Sequence, residues 1–404
     1  MSIPPKPHPI YSKDSTVYII HERKKLKCLD DAIDKSGFIK NLNDHCGPDK
    51  SKRETFRIVI KPNFMCAAYE TDISVYTDVE LVEHLVERIR GEGYEDITVV
   101  ESQMVWSVMR DGRTVQAVAD MLGFSGNDYK IVDLSIHPDE CDYDEELLGR
   151  DWVGPVWKDA DYRISFAKNK THFQCFYTGC MKNIYGCLPT QNKLLCYHRG
   201  PRNRRRHFYT ATIAILEKFQ VDFAFLDAYI SSDGVAGIMM DGWPKGTHTI
   251  ICGENCFAVD WVQGEKMGLD PEKNYVVRTA LERWGKPQIT RMCSEKGLQP
   301  HVCSKKELEP WHPWENVPGF FVVGGKLVEK HYQLARAFLF PFAYRMDPRF
   351  PLVDNCMSIL TAPFRKLVEM LDLHEDLIYP ALIIFDSALI IALIVFLFVV
   401  GCRS

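Results

Sequence analysis

At 404 residues the chain is long enough to bury a substantial core in two or three domains. A charged fraction of 25%, a hydrophobic fraction of 46% and a formal net charge of −5 describe an ordinary globular composition, with no general nucleic-acid binding expected. The 14 cysteines include no C-x-x-C pair, which excludes a zinc ribbon, a thioredoxin motif and a ferredoxin run.

The N-terminal MSIPPKPHPIYSKDS has no apolar core and does not read as a secretory signal. Phe56 to Ile60 reads as a strand ending in Lys61-Pro62-Asn63. Thr77 is then expected to cap a helix whose apolar positions Val79, Leu81, Val82, Leu85, Val86 and Ile89 recur at helical spacing up to Gly91. Ile97 to Val100 is the next strand, closed by Glu101-Ser102. Thr114 to Leu122 reads as a helix and Tyr129 to Leu134 as a strand. The acidic run Asp139 to Glu146 reads as a solvated connection. Ala160 to Ala167 is strand-like and leads into Lys170-Thr171-His172. Farther on, Phe208 to Phe219 is helical and Val221 to Leu226 is a strand ending at Asp227. Thr247 to Cys252 is a strand, and Asn255 to Met267 a helix.

The alternation predicts an α/β body with a mainly parallel sheet, arranged as two Rossmann-like lobes at 1–150 and 151–307. Residues 308–376, rich in Pro, Trp and Phe, read either as a membrane-proximal segment or as a helical cap on the body. Within 377–404, LIIFDSALIIALIVFLFVVG (382–401) carries a single charge, Asp386, and Ile390 to Val400 is apolar on every face. At about 1.5 Å per residue it matches the roughly 30 Å hydrocarbon layer, so a single-pass C-terminal membrane anchor with a cytosolic body is expected. In that setting the sequon Asn169-Lys170-Thr171 is not used.

Ligands of open α/β sheets bind beyond the carboxyl ends of the strands. Lys61 and Asn63, Lys170 and His172, and Asp227 all fall at such ends, which points to a pocket. The stretch TGCMKNIYGCLPTQNKLLCYHRG has little helical or strand periodicity and would close it. Gly179 and Gly186 let backbone amides approach a ligand. Lys182 offers a point charge or a nucleophile, and His198 a metal ligand or general base. The run Arg199, Arg202, Arg204, Arg205 and Arg206 reads as a solvated loop, an anionic-lipid contact or a clamp on a carboxylate or phosphate. Cys175, Cys180, Cys187 and Cys196 read as reduced thiols. No Walker A, G-x-G-x-x-G, H-E-x-x-H or G-x-S-x-G pattern occurs.

Ile58-Val-Ile-Lys-Pro-Asn63, Thr77-Asp78, Lys170-Thr-His172, Thr178-Gly-x-x-Lys-Asn-x-x-Gly186, Asp241-Gly-Trp-Pro-Lys-Gly246 and Ala258-Val-Asp260 together resemble the family catalogued as domain of unknown function 362. The likeness runs from about residue 56 to 285. Members described as iron–sulfur proteins carry an added ferredoxin module that this chain lacks. Lys182 followed by His198 is also similar to the lysine and histidine that hold the nickel-pincer nucleotide in lactate racemase. That likeness implies a cofactor or metal pocket with His198 as metal ligand, and it places His172 like an acid/base histidine. The combined expectation is an enzyme acting on a small anionic or lipid-linked substrate. His172 and Lys182 would be catalytic. Lys61, Asn63, Lys170, Thr178, Gly179, Asn183, Gly186, His198, Asp227 and Asp260 would bind a cofactor of unknown identity. The alternatives are a membrane-tethered scaffold and a redox protein.

Overall fold

A computed structural model describes residues 14–65, 70, 73–103, 114–172, 175–189, 207–232, 245–294 and 301–303. The segments expected near and in the membrane, 308–376 and 377–404, lie outside them. Among the described residues no helix is long and apolar enough to cross a membrane.

The strands are β1 (Thr16–His21), β2 (Ile58–Pro62), β3 (Ile97–Glu101), β4 (Lys130–Asp133), β5 (Asp139–Asp142) and β6 (Arg150–Val153). They continue as β7 (Tyr162–His172), β8 (Phe176–Thr178), β9 (Phe223–Ser232), β10 (Thr249–Gly253), β11 (Thr290–Cys293) and β12 (His301–Val302). The main sheet has the order β12-β11-β1-β10-β9-β7-β2-β3-β4, with β8 added to β7. From β9 to β4 every neighbour is parallel, while β10 runs antiparallel between β9 and β1. The result is a mixed α/β fold on a mostly parallel central sheet. Where the sequence suggested two lobes, one sheet takes strands from both stretches, because β1 inserts between β10 and β11.

β2 (IVIKP) and β3 (ITVVE) are buried along their whole length, as strands covered on both faces are. One face, with Ile60, Val99, Phe166 and Phe225, packs on α1 (Lys25–Lys35), α2 (Phe38–Cys46), α3 (Val79–Gly91) and α4 (Val115–Leu122). α3 buries Leu81, Val82, Leu85, Val86 and Ile89, the stripe its periodicity predicts. Its N-cap is Asp78, one residue beyond the expected Thr77, and the Asp78 side chain accepts from the Glu80 N–H. Thr77 instead ties strands together: its hydroxyl accepts from the Asn63 N–H at 2.9 Å and donates to the Phe166 carbonyl at 2.8 Å.

After α5 (Pro155–Lys158) and α6 (Cys180–Asn183) come α7 (Phe208–Lys218), α8 (Cys256–Lys266) and α9 (Tyr275–Trp284). Helices α7 to α9, with the segment around α6, cover the opposite face, where Val59, Ala167, Leu226 and Ile251 lie. The acidic run at Asp139 is not a plain connection. β5 pairs antiparallel with β6, and Arg150 forms a 2.6 Å ion pair with Glu140 across the pair, both side chains remaining solvated. At the far edge Cys293 and Cys303 form a disulfide.

The winding locates the crevice. From β2 the chain steps outward through α3 to β3 and through α4 to β4, with both helices on one face. From β7, the other neighbour of β2, it steps the opposite way through α7 to β9, on the other face. The connections therefore diverge between β2 and β7, leaving a crevice at their carboxyl ends, the place where open α/β sheets bind ligands.

Candidate functional site

Lys61 ends β2 and is 1% exposed. Its ammonium lies 2.7 Å from the Glu101 carboxylate at the end of β3 and donates to the Pro62 carbonyl at 2.6 Å and to Asn183 Oδ1 at 3.1 Å. Burying an ammonium requires such compensation. The Asn183 amide donates to the Lys61 carbonyl at 2.6 Å and to the Ser165 hydroxyl at 3.1 Å, so it clamps β2 to β7 across the crevice. Asn63 follows; its Nδ2 lies 3.4 Å from Asn183 Oδ1, and its own Oδ1 is buried with no hydrogen-bond partner among the described residues. Gly186 closes over the pair: a Cβ there would sit 2.6 Å from Lys61 Cε and 2.9 Å from Glu101 Oε1.

A second buried ion pair lies where β7 meets β9. Lys168 Nζ is 2.9 Å from Asp227 Oδ2, and both side chains are sealed. Asp227 also accepts the Asp78 N–H at 3.0 Å, which ties the start of α3 to the sheet, and the Tyr229 N–H at 3.0 Å. The β7–β9 register shifts between Lys168 and Lys170. Lys170, buried, donates to the Val75 carbonyl at 2.5 Å. Asn169 between them is 0% exposed and donates to the Ser231 hydroxyl at 2.9 Å, so the formal sequon is closed to any modifying enzyme.

Of the stretch expected to cover the pocket, 178–200, the structure describes residues 178–189. Thr178 ends β8 in register with Lys170, and its hydroxyl is buried without a partner among the described residues. Gly179 then leads into α6, which carries Lys182 and Asn183. The amides after Gly179 are taken by the protein itself: Asp260 of α8 accepts the Cys180 N–H at 2.5 Å and the Met181 N–H at 2.9 Å. Burial pushes the Asp260 carboxyl up to about 7, with the two amides pulling the other way. Lys182 is partly buried and makes no hydrogen bond or ion pair with the described residues.

The structure thus gathers Lys61, Asn63, Lys170, Thr178, Gly179, Lys182, Asn183, Gly186 and Asp227 at one end of the sheet, on strands β2, β7, β8 and β9 and the turn above them. Asp260 joins from α8 by way of the amides. His172 is at the end of β7, partly buried, opposite Phe176, whose φ of 79° marks the turn into β8. His198 and the arginine run lie outside the described residues. Among the described residues no group of three or more His, Cys, Asp or Glu is placed to hold a metal ion. Cys175, Cys180 and Cys187 are buried; burial pushes the Cys175 thiol up to about 12, and that of Cys180 well up too.

Glu101, Ser165, Lys168 and Gln263 escaped the sequence reading. Gln263 of α8 donates to Asn169 at 2.7 Å and to the Thr178 carbonyl at 2.6 Å. Lys168 had a signal, since Lys-Asn-Lys at the end of an apolar strand places charge where none is expected. Glu101 had the same signal as Lys61, a charged residue closing an apolar strand, whereas Gln263 had none, lying within a helix whose partners are remote in sequence.

A thylakoid-associated protein of Synechocystis sp. is 27% identical over 113 residues, 28% of this chain and 34% of its own length, so the chain matches about a third of that curated relative. Among solved structures, the lactate racemase apoprotein of Thermoanaerobacterium thermosaccharolyticum aligns over 65% of this chain and 61% of its own, at 13% identity and a TM-score of 0.37. The family model described as Domain of unknown function (DUF362) matches residues 58–264, which run from the start of β2 into α8 and contain the whole gathered site; the chain belongs to that family.

Proposed function

We propose that the chain is an enzyme that binds a small anionic substrate across the carboxyl ends of β2 and β7, with Lys182 as the group that engages it. One observation carries this reading. Lys61 and Lys168 are neutralised by Glu101 and Asp227, whereas Lys182, on the turn over the same crevice, has no partner among the described residues. A partly buried lysine with no counter-charge among the described residues favours an anion from outside. In this reading Asn63 and Thr178 offer hydrogen bonds to the ligand, Lys170 adds positive charge, and His172 moves a proton at the rim. Asn183, Gly186, Gly179, Asp227 and Asp260 set the shape. The described residues supply a lysine for a covalent cofactor but no metal-donor set, so no step is assigned to either.

The test is calorimetric titration of the full chain with inorganic phosphate and with oxalate, before and after Lys182→Ala, alongside the intact mass of the purified protein. Binding of either anion that weakens about tenfold or more in Lys182→Ala supports the reading, as expected for loss of a charge-assisted contact. Undiminished binding in the variant overturns it. Extra mass that maps to Lys182 would make the engaging group a cofactor tether.

The apolar run 382–401 supports a further part of the proposal, a body held at a membrane by its C-terminal segment. Expression of the chain with and without residues 377–404, followed by carbonate extraction of membranes, tests it. Retention by the full chain alone is expected, and release of both would overturn the tether.

A further inference from the structure

Gly179 and Asp260 form one joint. α6 is a single turn, and the residue before it, where a side chain ordinarily caps the first amides, is a glycine. The cap comes instead from α8: both Asp260 oxygens accept, one from the Cys180 N–H and one from the Met181 N–H. A Cβ at Gly179 would lie 2.5 Å from that carboxyl, so only glycine lets the carboxylate reach. At its far end α6 is held by Asn183, which bonds the Lys61 carbonyl and the Ser165 hydroxyl. Lys182 sits between these two anchors.

We propose that Asp260 is a positioning residue for Lys182: its ionised carboxylate fixes the turn that presents the lysine, and protonation releases the turn. This rests on the reading of Lys182 as the engaging group. The cap needs the charge, because a protonated carboxyl accepts well through one oxygen only, while two amides point at it. The ionisable groups around it are Cys180 on α6, and Tyr177 and Cys175 on the β8 side. Burial pushes all three up, so they stay neutral through the physiological range. Tyr177 also donates to the Asp260 backbone carbonyl at 2.9 Å, which holds α8 in place independently of the carboxylate. The charge of the cap is therefore set by Asp260, whose carboxyl burial brings to about 7.

The experiment is competitive acetylation of the full chain with acetic anhydride across pH, read at Lys182 by peptide mass, with the exposed Lys40 as internal reference. In the wild type, Lys182 acetylation relative to Lys40 should show a step near pH 7. Asp260→Asn, which offers one oxygen and turns an NH2 against the second amide, should abolish the step and change the rate above it by about tenfold. Asp260→Glu, which keeps the charge, should retain a step, and Gly179→Ala should behave like Asp260→Asn. A folded Asp260→Asn protein whose Lys182 profile matches the wild type overturns the proposal. Should the variants not fold, hydrogen exchange at Cys180 and Met181 in the wild type decides. Protection that rises through pH 7, against the trend of α3 amides, supports the latch, and unchanged protection overturns it. Failure of phosphate and oxalate to bind, with the Asp260-dependent step intact, would instead remove the substrate reading and leave the positioning role standing.

Discussion

The Lys61 ammonium and the Glu101 carboxylate meet at 2.7 Å, one from each of two adjacent parallel strands, with 1% and 5% of their side chains exposed. Removing one partner leaves a buried charge uncompensated. Glu101→Gln should therefore cost about 3–5 kcal/mol, whereas replacing both residues by apolar ones of similar size should cost much less. Chemical denaturation of the two variants checks the difference.

The glycine over that pair gives a steric counterpart. Gly186→Ala would place a methyl 2.6 Å from Lys61 Cε and 2.8 Å from its Nζ, and should destabilise by about 1–3 kcal/mol. Gly91, the last residue of α3, has open space where a Cβ would stand, with nothing within 4 Å, and Gly91→Ala should stabilise by about 0.5–1 kcal/mol. Thermal melts of the two variants should move in opposite directions.

Against global unfolding, which takes Asp260 into water, stability depends on pH in a sense opposite to that of a salt-bridged acid. Release of the turn differs, because there the carboxyl stays buried and loses only the two amides that lower its pKa. The Asp260 carboxyl is raised from 3.8 to about 7, so the folded chain holds this proton more tightly than the unfolded chain. The group's contribution is full below pH 3.8 and is lost as pH rises through about 7. The shift corresponds to a contribution on the order of 4 kcal/mol. The stability difference between the wild type and Asp260→Asn, followed by urea titration from pH 5 to 8, should fall as pH rises and level off above 7.

The Cys293–Cys303 disulfide closes a loop of ten residues at the edge of the sheet. Reduction should lower stability by about 2–3 kcal/mol, an amount set by the loop length. Melts with and without reductant, with Cys303→Ser as the control that no longer responds, test it.

The central strands and their helices were legible because each buries a continuous stripe or run. The β2 run, the α3 periodicity and the Asn255 cap of α8 all appear within a residue or two of where the sequence puts them. The flanking α1, α2, β1 and β11 were not picked out. β1 alternates only partly, and its meaning depends on partners at Thr249–Gly253 and Thr290–Cys293. At the site, the residues ending strands were legible from position alone. What they bond to was not. Lys61 and Asp227 look like free charges in the sequence and turn out to be half of an ion pair each, and Asp260, which looks like a ligand contact, spends its carboxylate on two amides.

The place of β1 has a consequence for how the chain is made. Within the described body Thr16–His21 is the first strand to leave the ribosome, yet its two sheet neighbours are among the last to emerge. Until then it is an apolar segment with two open edges, prone to pairing with whatever it meets. The region matched by the family model lacks both this strand and β11, so it can finish its own strands earlier and offer β10 as the docking edge. Assembly of the described body should therefore end with its first strand slotting between two of its last, a step that gives a holdase chaperone a defined window in which to act.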